Sequence, residues 1–187
     1  MAAFILASGS PRRKQLLEWA EVDFEICVQP TDESFPPNLS PAEAAVYIAQ
    51  GKAAAVQNFF KTPCPVIAAD TIVVIDNEII GKPKDREDAI GILKKLSGRV
   101  HTVITGVVIQ DKEQTISFSD STEVEFHPLQ EDQIQFYIDK YKPYDKAGAY
   151  AIQEWIGVVG IKRITGDFYN VMGLPVSRVV QTLEKFR

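Results

Sequence analysis

Ala3-Phe4-Ile5-Leu6-Ala7-Ser8-Gly9-Ser10-Pro11-Arg12-Arg13-Lys14-Gln15-Leu16 begins as a short buried strand and turns, through small residues, into a helix. Phe4 to Leu6 is unbroken and apolar, as a fully buried strand requires. Ser10 stands where a helix N-cap belongs, Pro11 takes the first helical position, and Leu16, Leu17 and Ala20 supply an apolar stripe at helical spacing. The free N–H groups and positive dipole end of such a helix suit an anion. Arg12 and Arg13 add two permanently charged, planar donors that match phosphate oxygens, and Ser8 and Ser10 add hydroxyls. The segment reads as a phosphate site; the plainer reading is a capped surface helix with solvated arginines.

Outward from this unit, strands and helices alternate, which predicts an α/β fold. Residues 24–28 read as a second strand, and 30–39, with Pro36-Pro37, as a loop. Ser40-Pro41-Ala42-Glu43 is a capping box opening a helix to about Phe60, which Thr62-Pro63-Cys64-Pro65 ends. Residues 66–75 form an apolar strand, turned by Asp76-Asn77 into a hairpin with 78–80. Asp85 caps a third helix that stops at Gly98. Strands are predicted over 101–111 and 115–126, a helix over 129–141, a glycine-bearing loop near 145–153, strands near 156–164 and 168–172 with Gly166-Asp167 as a hairpin turn, and a last helix over 174–186. The hairpins make the sheet mixed.

Polar residues at apolar positions mark the candidate site. Asp70 interrupts the run Val66-Ile67-Ala68-Ala69-Asp70-Thr71-Ile72-Val73-Val74-Ile75. A carboxylate there is costly unless paired or bound to a metal, so it reads as a ligand or base, or else as a strand-bulge residue satisfied by backbone N–H groups. Lys52 lies on the helix face of Ile48 and Val56, where it either snorkels to solvent or reaches into a cleft. Lys82, in Gly81-Lys82-Pro83 on a tight turn near Asp70 in sequence, reads taken alone as a solvated loop charge. Gln153 ends Asp145-Lys146-Ala147-Gly148-Ala149-Tyr150-Ala151-Ile152-Gln153 and offers the donor and acceptor that a pyrimidine imide edge needs, or is a surface amide. His101 reads as a structural hydrogen-bonder.

Composition bounds the rest. The 187 residues fit one domain, 1–187, and a formal net charge of −5 gives no basic field for nucleic acid. Two well-separated cysteines, Cys27 and Cys64, and no signal-peptide pattern point to a reducing cytoplasm; no apolar stretch approaches membrane length. The scattered cysteines and histidines argue against zinc.

Taken in order, these motifs resemble the Maf family of nucleoside triphosphate pyrophosphatases. The likeness rests on Ser8-Gly9-Ser10-Pro11-Arg12-Arg13, Lys52-Ala53, Ala69-Asp70-Thr71, Gly81-Lys82-Pro83 and Leu96-Ser97-Gly98 with His101. It continues through Asp145 to Tyr150 with Ile152-Gln153, and Asn170-Val171 before Gly173-Leu174-Pro175. The resemblance implies an elongated mixed α/β sheet flanked by helices, with two lobes and a central cleft, akin to inosine-triphosphate pyrophosphatases. It implies a cytoplasmic, divalent-metal-dependent hydrolase that cleaves a nucleoside triphosphate into monophosphate and pyrophosphate. The Asp145–Tyr150 segment with Ile152-Gln153 resembles the dTTP and UTP branch, with a house-cleaning role and a link to septum formation and division arrest. Asp70 would be the proton acceptor, and Arg12, Thr71 and Gln153 would occupy specificity positions. The alternatives are a 7-methyl-GTP or broad-specificity pyrophosphatase and a nucleotide-binding division regulator; a homodimer is compatible with the sequence.

About four negative charges on a triphosphate must be met locally by Arg12, Arg13, Lys52, Lys82 and a metal. Oxygen donors point to Mg²⁺ or Mn²⁺, held by Asp70 with Glu33 as the second ligand. An ordinary aspartate, with pKa about 3.9, is a weak base, so water activation would come largely from the metal.

Overall fold

The structure, a computed structural model, describes residues 3–60 and 64–186. The helix stop expected at Thr62-Pro63 lies outside the described residues. Seven strands join in one hydrogen-bonded sheet: β1 (Phe4–Leu6), β2 (Phe24–Ile26), β3 (Val66–Ile75), β4 (Glu78–Ile80), β5 (Val100–Gln110), β6 (Thr115–Phe126) and β7 (Ile161–Thr165). The order is β2-β1-β3-β5-β6-β7, with β4 on β3. β1 runs parallel to β2 and β3, while β3–β4 and β6–β7 are antiparallel, so the sheet is mixed as expected.

The chain divides into two compact units. The first comprises Met1–Thr71, Thr105–Asp120 and Gly173–Arg187; the second comprises Ile72–Ile104 and Ser121–Met172.

In the first unit, helix α1 (Pro11–Trp19) follows β1, and helix α2 (Pro41–Phe60) covers the sheet. The capping box at α2 is real: Ser40 Oγ accepts from Glu43 N at 3.3 Å, and Glu43 Oε2 accepts from Ser40 N at 2.8 Å. Ala49, Ala53 and Val56 of α2 pack onto Ile5, Val66, Ala68 and Val108. The alanine stripe lets the helix sit close. A Cβ on Gly106 of β5 would fall 2.3 Å from Val46 N, so this strand position tolerates no side chain beneath α2. Helix α7 (Val176–Leu183) ends the unit and is followed by a 3₁₀ turn over Glu184–Phe186.

The second unit carries α3 (Arg86–Leu96), α4 (Glu131–Tyr141), α5 (Trp155–Gly160) and α6 (Phe168–Met172), with a 3₁₀ turn at Ala147–Ala149. Asp85 caps α3 by accepting from Asp88 N at 2.9 Å, with acidic residues at its start and Lys94 and Lys95 at its end. Asp76 and Asn77 both take positive φ, 53° and 62°, as a two-residue hairpin turn demands.

Two expectations fail here. Residues 156–160, expected as the first half of a strand near 156–164, are helical, and the strand β7 begins only at Ile161. The Glu154 carbonyl accepts from Gly157 N (2.9 Å) and Val158 N (3.3 Å), and burial falls at Ile156 and Gly160 while Val158 is exposed, a four-residue period. Residues 168–172 are also a helical turn, so Gly166-Asp167 is no hairpin. Asp167 Oδ1 accepts from Tyr169 N at 2.7 Å, and the buried Asn170 donates to Val103 O and Thr122 Oγ1. Tertiary hydrogen bonds override strand propensity at this site.

Candidate active site

Ser10 caps α1 as its sequence demands, its Oγ accepting from Arg13 N at 3.5 Å with Pro11 behind it. Ser8 at the end of β1 is buried, and its Oγ accepts from Ser10 N at 3.2 Å and from Arg13 Nη1 at 3.1 Å. The small-residue loop is thereby pinned, and its Ser8 and Gly9 line a pocket of about 210 Å³. Ser8, Gly9, Glu33 and Lys52 line that pocket, with Val28 and Val56 as apolar walls.

Arg13 is buried and anchors three elements. Nε donates to Gly173 O at 2.8 Å, Nη1 to Ser8 Oγ, and Nη2 to Thr71 Oγ1 at 3.0 Å. Burial lowers its pKa from the usual arginine value, while the Asp70 charge pulls the other way. Thr71 Oγ1 also lies 2.9 Å from Thr105 Oγ1, a fully buried hydroxyl. Arg12, one position earlier on α1, is half-buried.

Asp70 and Lys52 meet. Lys52 Nζ lies 2.7 Å from Asp70 Oδ1 and 2.7 Å from Glu33 Oε1. Lys52 and Asp70 are mostly buried, with side-chain exposures of 16% and 14%, whereas Glu33 is half-exposed. Lys52 therefore does not snorkel to solvent; it compensates two carboxylates where β3 and α2 face each other. Two carboxylates converging on one ammonium already draw a cation, the chemistry that a hard divalent ion shares. Among the described residues no group of three or more His, Cys, Asp and Glu is arranged to hold a metal. Asp70 and Glu33 are the carboxylate donors of this site, and any hard cation bound by them would need its remaining ligands from water or a phosphate.

The first unit therefore brings together Ser8, Ser10, Arg12, Arg13, Lys52, Asp70, Thr71 and Glu33. Lys82 and Gln153 belong to the second unit, and both are exposed. There, Gly148 N donates to Gly81 O at 3.2 Å, tying the Lys82 turn to the Ala147–Ala149 turn. His101 is the structural hydrogen-bonder expected of it. Its Nε2 lies 2.7 Å from Tyr150 Oη, and burial pushes its pKa down to about 4. Thr105 was missed from sequence, although a hydroxyl inside Val103-Ile104-Thr105-Gly106-Val107 is the kind of signal that singled out Asp70.

No helix among the described residues is long and apolar enough to cross a membrane. Residues 3–186 match the family of Maf-like proteins. The dTTP/UTP pyrophosphatase of Cytophaga hutchinsonii is 54% identical over 181 residues, spanning 97% of this chain and 83% of that protein. The dTTP/UTP pyrophosphatase of Bacteroides thetaiotaomicron is 47% identical over 182 residues, 97% of this chain and 94% of its own. Among solved structures, the Staphylococcus aureus Ham1 protein superposes with a TM-score of 0.53 at 17% identity, covering 98% of this chain and 99% of that one, which speaks to the fold. The match over residues 3–186 makes this chain a member of the Maf-like protein family.

Proposed function

We propose that this chain hydrolyses the α–β phosphoanhydride of dTTP and UTP, releasing the nucleoside monophosphate and pyrophosphate. The observation that carries the reading is the Lys52-paired Asp70 in the unit that also holds the Ser10-capped α1 N-terminus and the buried Ser8. The pyrimidine preference is supported by relatives named for dTTP and UTP over nearly the whole chain.

Asp70 accepts the proton of the attacking water as its oxygen bonds to the α-phosphorus, and the bridging oxygen leaves with pyrophosphate. Lys52 holds Asp70 in place through a charge-assisted hydrogen bond. The N–H of Gly9 and the guanidinium of Arg12 receive phosphate oxygens. Arg13 has three donors committed to Ser8, Thr71 and Gly173, so it acts mainly by holding those groups in place. A Mg²⁺ or Mn²⁺ ion held by Asp70 and Glu33 would supply charge neutralisation and a more acidic water. Gln153, exposed in the second unit, is the candidate for reading the pyrimidine edge. The cellular role is house-cleaning of pyrimidine nucleotides, modified ones included, in the cytoplasm.

Product analysis tests this. With Mg²⁺ or Mn²⁺ present, dTTP and UTP are expected to give monophosphate and pyrophosphate faster than ATP, GTP or 7-methyl-GTP. Orthophosphate as the first product, or 7-methyl-GTP as the best substrate, would overturn the reaction or the base preference respectively. Binding without turnover of any nucleotide would favour a regulator.

A further inference from the structure

The second unit buries an ionisable network that the proposed chemistry does not use. Tyr137 of α4 is fully buried, and its hydroxyl donates to Glu154 Oε2 while accepting from Ala151 N at 3.2 Å. Lys146 is buried too, and its ammonium lies 2.8 Å from Asp145 Oδ1 and 3.5 Å from Glu154 Oε1. A buried phenol usually finds a partner, and a buried ammonium needs one. Here both are satisfied through Glu154, whose side chain is only 22% exposed.

These bonds close on one short turn. Glu154 N donates to Ala151 O at 3.1 Å, so the turn's first N–H and its last side chain are tied to the same Tyr137 hydroxyl. Ile152 is buried within it, and Trp155 meets Phe136 of α4 edge-on at 4.8 Å. The Glu154 carbonyl starts α5, and a Cβ on Gly157 would fall 1.8 Å from Ile152 O, so the chain closes tightly behind the turn. The residue left exposed at the crest is Gln153.

We infer that Tyr137 and Glu154, with Lys146 behind them, are positioning residues for Gln153 and set its discrimination between bases. This rests on the proposed reading of Gln153 as the base-recognising residue. Holding the backbone fixes the point from which the Gln153 amide reaches, which narrows the positions its donor and acceptor sample. Tyr137 and Glu154 hold that backbone from both ends of the turn. Neither touches the nucleotide; they act through Gln153.

The test compares kcat/KM for UTP and ATP in the wild type, Gln153→Ala, Tyr137→Phe, Glu154→Gln, and each of the last two combined with Gln153→Ala. Tyr137→Phe and Glu154→Gln are each expected to lower the UTP-to-ATP ratio by about fivefold or more. The loss should sit in KM for UTP, with kcat held within about twofold, and vanish in the Gln153→Ala background. If both keep the wild-type ratio while Gln153→Ala loses it, or if their effects persist without Gln153, the positioning role is overturned and the reading of Gln153 stands. If Gln153→Ala itself keeps the ratio, that reading falls and the positioning role with it. Amide exchange on the wild type needs no variant to fold. The Ala151 and Glu154 amides are expected to exchange at least about tenfold more slowly than those of exposed loops; exchange at loop rates would also overturn the proposal.

Discussion

Lys52 Nζ and Asp70 Oδ1, eighteen residues apart in sequence, lie 2.7 Å apart in the fold, with Glu33 on the same ammonium. This contact turns two separately ambiguous residues into one arrangement. A lysine where an apolar residue was expected and a carboxylate inside an apolar strand explain each other, because each neutralises a charge that would be costly alone. The carboxylate is thereby aimed, as a proton acceptor or metal ligand needs.

Asp70→Asn should lower turnover by about 10³-fold or more while leaving the circular dichroism spectrum unchanged. The amide is isosteric and still hydrogen-bonds Lys52, but it can neither take a proton nor bind a cation by charge. Turnover within about tenfold of wild type would remove Asp70 from the chemistry.

Arg13→Lys should destabilise the protein by about 2–4 kcal/mol in urea unfolding. A single ammonium cannot replace a planar fork that reaches Ser8, Thr71 and Gly173 in three directions, so buried acceptors lose donors. An unchanged unfolding midpoint would show that the fork is dispensable.

Gln153→Ala should cut the preference for UTP over purine triphosphates by about tenfold or more, with stability unaffected, because the side chain is exposed. A retained preference would assign base recognition elsewhere.

Chelation should abolish turnover without unfolding the protein, and Mg²⁺ or Mn²⁺ should restore it. Lys52 already compensates Asp70 and Glu33, so the fold does not depend on a metal to neutralise them. Full activity in excess chelator would refute the metal requirement; loss of the fold would refute the structural argument.

Stability should fall in mild acid through His101. Its folded pKa, about 4, lies below the ordinary 6.5, so between these values the unfolded chain binds the extra proton. The contribution is complete above pH 6.5 and is lost as pH falls toward 4, amounting to about 2 kcal/mol between pH 7 and 5. Urea titrations at those two pH values should show this difference, reduced in His101→Gln. Equal pH dependence in both proteins would exclude His101 as its source.

Much of the architecture is legible locally. The Ser10 and Asp85 caps, the capping box of Ser40 and Glu43, the Asp76-Asn77 turn and the apolar run of β3 are decided by residues within a few positions of one another. Such signals survive in sequence because the interacting groups are neighbours on the chain. The unusual polar positions, Asp70 and Lys52, were visible for the same reason: each breaks a local period.

The errors share a cause. Trp155–Gly160 and Phe168–Met172 carry strand-forming residues, but one closes a helical turn against Ile152 and the other is drawn over by Asn170 bonding to Val103 and Thr122. Propensity is worth tenths of a kilocalorie per residue, less than a buried hydrogen bond and its packing. Sequence alone thus determined the α/β class, most elements and the identity of the reactive candidates. Only the tertiary structure decided that Lys52 serves Asp70 and Glu33, that Arg13 joins Ser8 to Thr71 and Gly173, and that Thr105 stands behind Thr71. Those pairings depend on which buried charge or hydroxyl finds a partner across long stretches of chain, and burial is a property of the folded whole.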